Sequence, residues 1–181
     1  MKTCGQTLTQ SVLEHGLSVK NYLFDLLDHL EHNTPLKYQW VLPDWIYENR
    51  DFLLQSLPPR DTLKLYTIMH DCGKPFCITI NEDGRRHFPN HAEVSYQTFS
   101  QLYNDPIAAE LIRRDMDIHL LKADGVDDFC NSPMAITSLI VGIAEIHSNA
   151  SMFGGIGSTS FKIKNKSISQ RGKQIISKIK Q

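Results

Sequence analysis

The strongest constraint on this fold is an almost wholly apolar stretch that runs from residue 133 to about residue 148. A helix that is apolar on every side has to be buried, so the stretch predicts a helix at the centre of the fold. No apolar run in the chain approaches the roughly 20 residues that a membrane span needs. We therefore expect no membrane association.

Periodic apolar residues predict several further helices. One is predicted over residues 9–30 and a short one from residue 43 or 44 to 57. Asp61 is expected to cap a helix that runs to residue 70. Two more are predicted to begin near His91 and at Pro106. In the first helix, the inward positions are expected to be Val12, Val19, Leu23, Leu26, Leu27 and Leu30. In the helix that begins at Pro106, they are expected to be Ile107, Leu111 and Ile112.

One short β hairpin is expected among these helices. Residues 76–80 are β-prone, residues 81–84 read as a turn, and residues 85–88 return along the first strand. A chain of 181 residues suffices for one well-filled domain. We therefore predict a mainly α fold, with a single helical domain over residues 1–160 and the hairpin directly after residue 75.

The C-terminal residues 161–181 differ in charge from the rest of the chain. They contain seven cations and no acid, although the net charge of the whole chain is −1. Such a segment is a solvated tail, a contact for nucleic acid or another anionic partner, or a docking helix with an isoleucine face. The cations are Lys162, Lys164, Lys166, Arg171, Lys173, Lys178 and Lys180.

Three other features limit the class of protein. The first seven residues are polar and lack the apolar segment of a secretory signal, which predicts a cytoplasmic location. The four cysteines are scattered, so reduced thiols are expected, with a zinc half-site at Cys72 and Cys77 as the alternative. A glycine cluster at residues 152–157 predicts a loop, either a plain connection or a lid.

An imidazole and a carboxylate stand side by side at His70 and Asp71, where an apolar stretch ends. Adjacent side chains at a helix end can point into one cleft, and both can bind the same divalent cation. His15, His91 and His119 also fall at or near predicted helix ends, as metal-binding histidines on a helical scaffold do. The other interpretation is that these histidines only cap helices or lie on the surface.

Several runs of residues resemble the HD-domain superfamily of metal-dependent phosphohydrolases. They are residues 70–75 (His-Asp-Cys-Gly-Lys-Pro), the hairpin that ends with residues 85–88, and residues 90–94 (Asn-His-Ala-Glu-Val). The HD domains attached to bacterial tRNA nucleotidyltransferases are similar, with the same elements in the same order. The detailed match covers about residues 63–101. The resemblance implies an HD-type helical bundle, here expected to be freestanding because no nucleotidyltransferase motif precedes it.

The resemblance also implies the metal ligands. His15, His70 and Asp71 are expected to hold one cation, and His91 is available for a second cation or for phosphate. The last ligand is expected on a later helix, where Asp115, His119 and Asp124 compete.

Asp115 aligns best with the expected last ligand. His119 is predicted one turn further along the same helical face, so both are expected to face one cavity.

Nitrogen and oxygen ligands of this kind suit Mn²⁺, Fe²⁺, Co²⁺, Ni²⁺ or Zn²⁺, with Mg²⁺ possible, as one or two ions. A bound cation lowers the pKa of water from about 15.7 toward 7 and neutralises charge on a phosphoryl oxygen. Lys74 and Arg85 or Arg86 are expected to bind the substrate phosphate. A histidine that is not a ligand is expected to protonate the leaving group. The expected catalytic residues are Asp71, Lys74, His91 and His119.

These expectations define two functions. The first is a metal-dependent phosphohydrolase, a phosphomonoesterase or phosphodiesterase, that uses metal-activated water on a nucleotide or nucleic-acid end. The alternative is a non-catalytic, metal-containing module that binds nucleic acid or protein.

Overall fold

The computed structural model describes residues 1–7 and 10–181. The fold is mainly helical with one small antiparallel hairpin, which confirms the predicted fold class. Among the helices of the described residues, none is both long and apolar enough to cross a membrane. The helices are α1 (Val12–His32), α2 (Trp45–Glu48), α3 (Arg50–Gln55), α4 (Arg60–Met69), α5 (Lys74–Cys77), α6 (His91–Leu102), α7 (Pro106–Arg113), α8 (Asp117–Leu120), α9 (Val126–Cys130), α10 (Ala135–Ser148) and α11 (Thr159–Ile179), and the strands are β1 (Thr79–Ile80) and β2 (Arg86–His87).

The chain divides into two compact units, and each unit is formed by two separate stretches. The first unit contains residues 1–20 and 58–116, and the second contains residues 21–57 and 117–181. Helix α1 contributes its first part to one unit and its remainder to the other. The predicted division into residues 1–160 and 161–181 stays a prediction.

In the first unit, α7 packs against both α4 and α6. The side chains of Leu63 and Tyr66 from α4, Phe99 from α6, and Leu111 from α7 are buried. The hairpin pairs Thr79 with His87 and Ile80 with Arg86, and all four residues are exposed.

In the second unit, α10 is a deeply buried helix, as its apolar sequence predicts. Twelve of its 14 residues are buried, as the apolar stretch at residues 133–148 requires. Helix α11 packs on α10 and α9. Gly172 of α11 lies against the Trp45 ring, where a Cβ would overlap the ring, and Trp45 Nε1 donates to the Ser169 carbonyl oxygen at 3.0 Å. Residues 159–179 thus form a helix with a buried apolar face.

A buried carboxylate organises the connection that follows α1. Asp25 accepts hydrogen bonds from the backbone N–H of Lys37 at 2.9 and 3.1 Å and from that of Tyr38 at 3.2 Å. Trp40 Nε1 donates to the same carboxylate at 2.9 Å. Because three donors from one segment converge on Asp25, this side chain fixes the path of the connection.

His147 of α10 is fully buried, and both of its ring nitrogens have backbone partners. Nδ1 lies 2.8 Å from the Ile143 carbonyl oxygen, and the Val41 N–H donates to Nε2 at 3.0 Å. A carbonyl oxygen only accepts, so Nδ1 carries the proton and the ring is neutral. Burial lowers the pKa of His147, and the two backbone hydrogen bonds raise it by less, so the pKa lies below its usual value. This direction agrees with a neutral ring.

Several details of the helices and of the hairpin differ from those predicted. The helix expected to end at residue 57 is broken at Asn49, whose φ and ψ of −117° and 19° leave the helical region. Pro59, and not Asp61, takes the N-cap position of α4, while Asp61 lies in the first turn. Residues 76 and 77 end α5 and do not begin a strand, so the hairpin is shorter than predicted.

The first helix begins at Val12, and all six of its predicted inward positions are buried. The predicted start at Thr9 lies outside the described residues. Ile107 is 38% exposed, so its predicted inward position was wrong. It lies in the first turn of α7, one turn before the buried Leu111. The glycine cluster contains a loop in which Gly154 and Gly155 adopt positive φ.

Candidate metal centre

The doublet His70 and Asp71 lies directly after α4, in a tight turn of the first unit. His70 keeps helical φ and ψ of −52° and −31°. The N–H of Cys72 donates to the Met69 carbonyl oxygen at 2.9 Å, and the N–H of Lys74 donates to that of Asp71 at 3.0 Å. Both doublet side chains are buried. The turn therefore holds two adjacent polar side chains away from solvent.

A glycine brings the start of α1 close to α4. A Cβ on Gly16 would overlap the backbone carbonyl of Ile68, so only glycine permits this approach. His15 precedes Gly16 and is fully buried. The close approach of the two helices therefore carries the His15 ring to the doublet.

A second glycine brings α6 close on the other side. A Cβ on Gly73 would overlap the backbone at Val94 and Ser95. The Gly73 N–H donates to Ser95 Oγ at 2.9 Å. Because α6 begins at His91, this contact holds the His91 ring near Asp71.

The three histidines surround the Asp71 carboxylate. Nε2 of His70 lies 3.3 Å from Asp71 Oδ2, and Nε2 of His15 lies 3.6 Å from the same oxygen. The two Nε2 atoms are 3.2 Å apart. Nε2 of His91 lies 3.7 Å from the other oxygen, Oδ1. Four residues selected from the sequence are thus brought together in the first unit.

Backbone carbonyl groups orient two of these rings. Nδ1 of His70 lies 2.9 Å from the Thr67 carbonyl oxygen, and Nδ1 of His91 lies 3.0 Å from that of Phe88. Since a carbonyl oxygen only accepts, Nδ1 carries the proton in both rings. Nε2 is then the atom that takes either a proton or a metal ion, and in both rings it is directed at Asp71. This arrangement is typical of metal-binding histidines.

Asp71 is held as a carboxylate. Lys74 Nζ lies 2.6 Å from Asp71 Oδ2, and both side chains are buried. Burial alone would raise the pKa of Asp71, but His70, Lys74 and His15 together outweigh burial and hold the pKa well below its usual range. A negatively charged ligand for a cation is therefore present at neutral pH.

Lys74 has a second partner that the sequence did not indicate. Its Nζ donates to Gln6 Oε1 at 3.0 Å and lies 5.3 Å from the centre of the Phe88 ring. Gln6 comes from the segment before α1, and no pattern in the sequence connects it with a residue 68 positions later. The positive charge of Lys74 therefore neutralises Asp71 even when no phosphate is bound.

The two hairpin arginines lie on the surface of the first unit. Arg85 Nε is 3.3 Å from Asp83 Oδ2, and both side chains are largely exposed. Arg86 Nη1 donates to the Gly5 carbonyl oxygen at 3.3 Å. Their expected role in phosphate binding stays a prediction.

The candidates for the last ligand lie in different elements. Asp115 is buried and accepts a hydrogen bond from Tyr66 Oη at 2.8 Å. It lies in the turn between α7 and α8, in the first unit, whereas His119 lies in α8, in the second unit. The expectation that Asp115 and His119 share one helical face was wrong, because the helix ends at residue 113. His119 Nε2 lies 2.9 Å from Glu145 Oε2, and the sequence did not indicate this partner. The third candidate, Asp124, is exposed.

Cys72 acts as a buried thiol in the first unit. Its Sγ donates to the Ser95 carbonyl oxygen at 3.3 Å. Burial, with the nearby charge of Asp71, raises the pKa of Cys72 to about 11. The alternative of a zinc half-site at Cys72 and Cys77 stays a prediction.

The cluster has the properties of a cation site. Asp71 Oδ1 is buried and accepts no hydrogen bond from any of residues 1–7 and 10–181. A buried acceptor without a donor costs about 1–3 kcal/mol, and a cation would remove that cost. Imidazole nitrogens and one carboxylate suit Mn²⁺, Fe²⁺, Co²⁺, Ni²⁺ or Zn²⁺. The residues therefore fit a divalent transition metal.

Comparison with protein-family models, with curated proteins and with solved structures gave no match for this chain.

Proposed function

We propose that His15, His70, Asp71 and His91 bind one or two divalent transition-metal ions, and that the protein is a metal-dependent phosphohydrolase. The observation that carries the proposal is the orientation of His70 and His91, whose Nδ1 atoms are held by backbone carbonyls while both Nε2 atoms point at a buried carboxylate. The resemblance of residues 63–101 to HD domains supports the reaction class. The proposed substrate is a phosphomonoester or phosphodiester of a nucleotide or a nucleic-acid end.

When bound, a divalent cation supplies a water whose pKa falls from about 15.7 toward 7 and positive charge for a phosphoryl oxygen. Asp71 is the anionic ligand, and Lys74 offsets its charge through the contact at 2.6 Å. Of the three N–H groups of Lys74, two serve Asp71 and Gln6, so one remains to donate to a phosphate oxygen. His91 is 18% exposed, and its Nε2 either binds metal or gives a proton to the leaving alkoxide.

Metal binding is tested first, with the protein purified without chelator. Elemental analysis should find Mn, Fe, Co, Ni or Zn. Adding metal to the stripped protein at 100 times its Kd should raise the free energy of unfolding by about 2.7 kcal/mol. Asp71→Asn should lose both effects, whereas His87→Gln in the exposed hairpin should retain them. Wild-type protein that holds no metal and shows no such shift would contradict the metal site.

Catalysis is tested with nucleoside monophosphates and triphosphates, cyclic phosphates and short oligonucleotides, each with Mn²⁺, Co²⁺, Ni²⁺ and Mg²⁺. The proposal predicts turnover of at least one substrate and a loss of at least about 100-fold in Asp71→Asn, since the metal ligand and its charge are removed together. A protein that binds metal but turns over no substrate would be the non-catalytic module.

A further inference from the structure

Helix α11 presents an unusual concentration of positive charge. From residue 146 to residue 181 the chain has no acidic residue. All six lysines from residue 162 to residue 180 are exposed, and Arg171 is half-buried. The apolar face of α11 is already used, because Phe161, Ile168, Ile175 and Ile176 are buried in the second unit. The charges therefore belong to the outward surface.

Six of the seven cations form two rows along the helix, and the seventh, Lys180, follows the end of the helix and donates to Asn49 Oδ1 at 2.8 Å. At about 100° per residue, Lys162, Lys166 and Lys173 lie within about 40° of one another, and at about 1.5 Å per residue they span about 16 Å. We call these three residues the first row. Lys164, Arg171 and Lys178 form a second row, on the other side of the outward surface.

The second row is engaged within the protein. Lys178 Nζ lies 3.0 Å from Asp127 Oδ1, and Lys164 Nζ lies 5.1 Å from the centre of the Phe153 ring. Arg171 donates to Gln174 Oε1 at 2.7 Å. The first row differs, because the side-chain amino groups of its three lysines make no ion pair or hydrogen bond with the part of the chain that the structure describes.

The first row is electrostatically unfavourable in the isolated protein. Lys162 and Lys166 are four residues apart, the spacing at which like charges on a helix repel. Lys162 also lies at the end of the first turn of α11, where the helix dipole disfavours a cation, and this turn contains no acid. An anionic partner would relieve this repulsion.

We propose that the first row of α11 binds the phosphate backbone of a nucleic acid. A line of cations matches a partner whose negative charges repeat along a line. The outward surface between the rows carries Ser167, Gln170, Gln174 and Ser177, and such side chains donate to phosphate and sugar oxygens. A lipid surface fits less well, because Ile163 is the one large apolar side chain that α11 exposes. The inference does not depend on the metal site.

The test uses fluorescence anisotropy with a labelled 20-nucleotide single strand and the corresponding duplex, on metal-free full-length protein. The main variant is Lys162→Gln, Lys166→Gln, Lys173→Gln. The matched control, Lys37→Gln, Lys64→Gln, Lys122→Gln, removes the same charge from exposed lysines outside α11. Circular dichroism and the melting temperature check that both variants fold.

With three phosphate contacts, raising salt from 50 to 200 mM should weaken wild-type binding about 40-fold for the duplex and about 20-fold for the single strand. The main variant should bind at least about tenfold more weakly at 50 mM salt and lose most of this salt dependence, while the control changes little. Equal losses in variant and control would overturn the proposal. So would wild-type protein that binds neither oligonucleotide, or that binds only vesicles containing phosphatidylserine. The wild-type salt dependence stands as a readout even if the main variant does not fold.

Discussion

The backbone N–H of Gly73 donates to Ser95 Oγ at 2.9 Å, at a point where α6 leaves no room for a side chain on residue 73. This contact holds the first residue of α6, His91, beside Asp71. The glycine that follows the doublet is thus a structural requirement for the site.

We expect Gly73→Ala to lower the free energy of unfolding by about 1–3 kcal/mol, because the added methyl group overlaps the α6 backbone. Metal affinity should fall as well, since His91 moves with α6. Urea unfolding and metal titration measure the two effects. The control is Gly157→Ala, where a Cβ meets nothing within 4 Å, and this variant should change neither. Equal effects of the two substitutions would contradict the account.

A second prediction concerns the buried pair of Asp71 and Lys74. In metal-free protein, Lys74→Met should destabilise by about 3–5 kcal/mol, because the carboxylate is left buried without its cation. In an Asp71→Asn background the same change should cost much less. A double-mutant cycle by urea unfolding measures the coupling. Additive effects would mean that the contact at 2.6 Å does not stabilise the fold.

The third prediction is a pH dependence that arises at His147. Its pKa is lowered in the folded protein, so below the unfolded pKa of about 6.5 the unfolded state binds more protons than the folded state. Stability should therefore fall as the pH drops below about 6.5, by at most about 1.4 kcal/mol per pH unit from this group. His147→Gln should reduce the slope, as measured by urea unfolding between pH 7.5 and 5.

The control for this measurement is His32→Gln, since the His32 side chain is 67% exposed. This variant should retain the wild-type slope. A slope that is unchanged in His147→Gln would assign the pH dependence to other groups.

The fourth prediction concerns Asp25, which accepts from three donors of the connection after α1. Asp25→Ala should lower the free energy of unfolding by about 3–5 kcal/mol, because the three donors at Lys37, Tyr38 and Trp40 lose a charged acceptor. Asp44→Ala should cost much less, since Asp44 is exposed and its side chain caps nothing. The free energy of unfolding of both variants is measured by urea unfolding. If Asp25→Ala and Asp44→Ala lower it by similar amounts, Asp25 is not specifically required.

Much of the fold follows from local patterns. The spacing of Val12, Val19 and Leu23 identifies a helix face, and the apolar stretch at residues 133–148 identifies a buried helix. Such patterns repeat within a few residues, so they are visible in one sequence. The break at Asn49 is not, because no glycine or proline marks it and the helix on each side is short.

The candidate site was predictable in part for the same reason. His70 and Asp71 are adjacent, and His15 and His91 lie near recognisable helix ends. The partners that orient the rings are backbone carbonyls of Thr67 and Phe88, which every residue possesses and no sequence pattern reveals.

Contacts between distant parts of the chain could not be predicted from the sequence either. The hydrogen bond from Lys74 to Gln6 joins residues 68 positions apart. The end of α7 at residue 113 separates Asp115 from His119, although a continuous helix was an equally good reading of that stretch.

The interleaved composition of the two units has a consequence for synthesis on the ribosome. His15 emerges 55 residues before His70, and the first unit lacks part of its core until residue 116 has been made. The second unit waits longer, because residues 21–57 form it together with residues 117–181. Neither unit is a continuous segment, so the apolar faces of α1 stay uncovered in the nascent chain until the second stretch of each unit has been made.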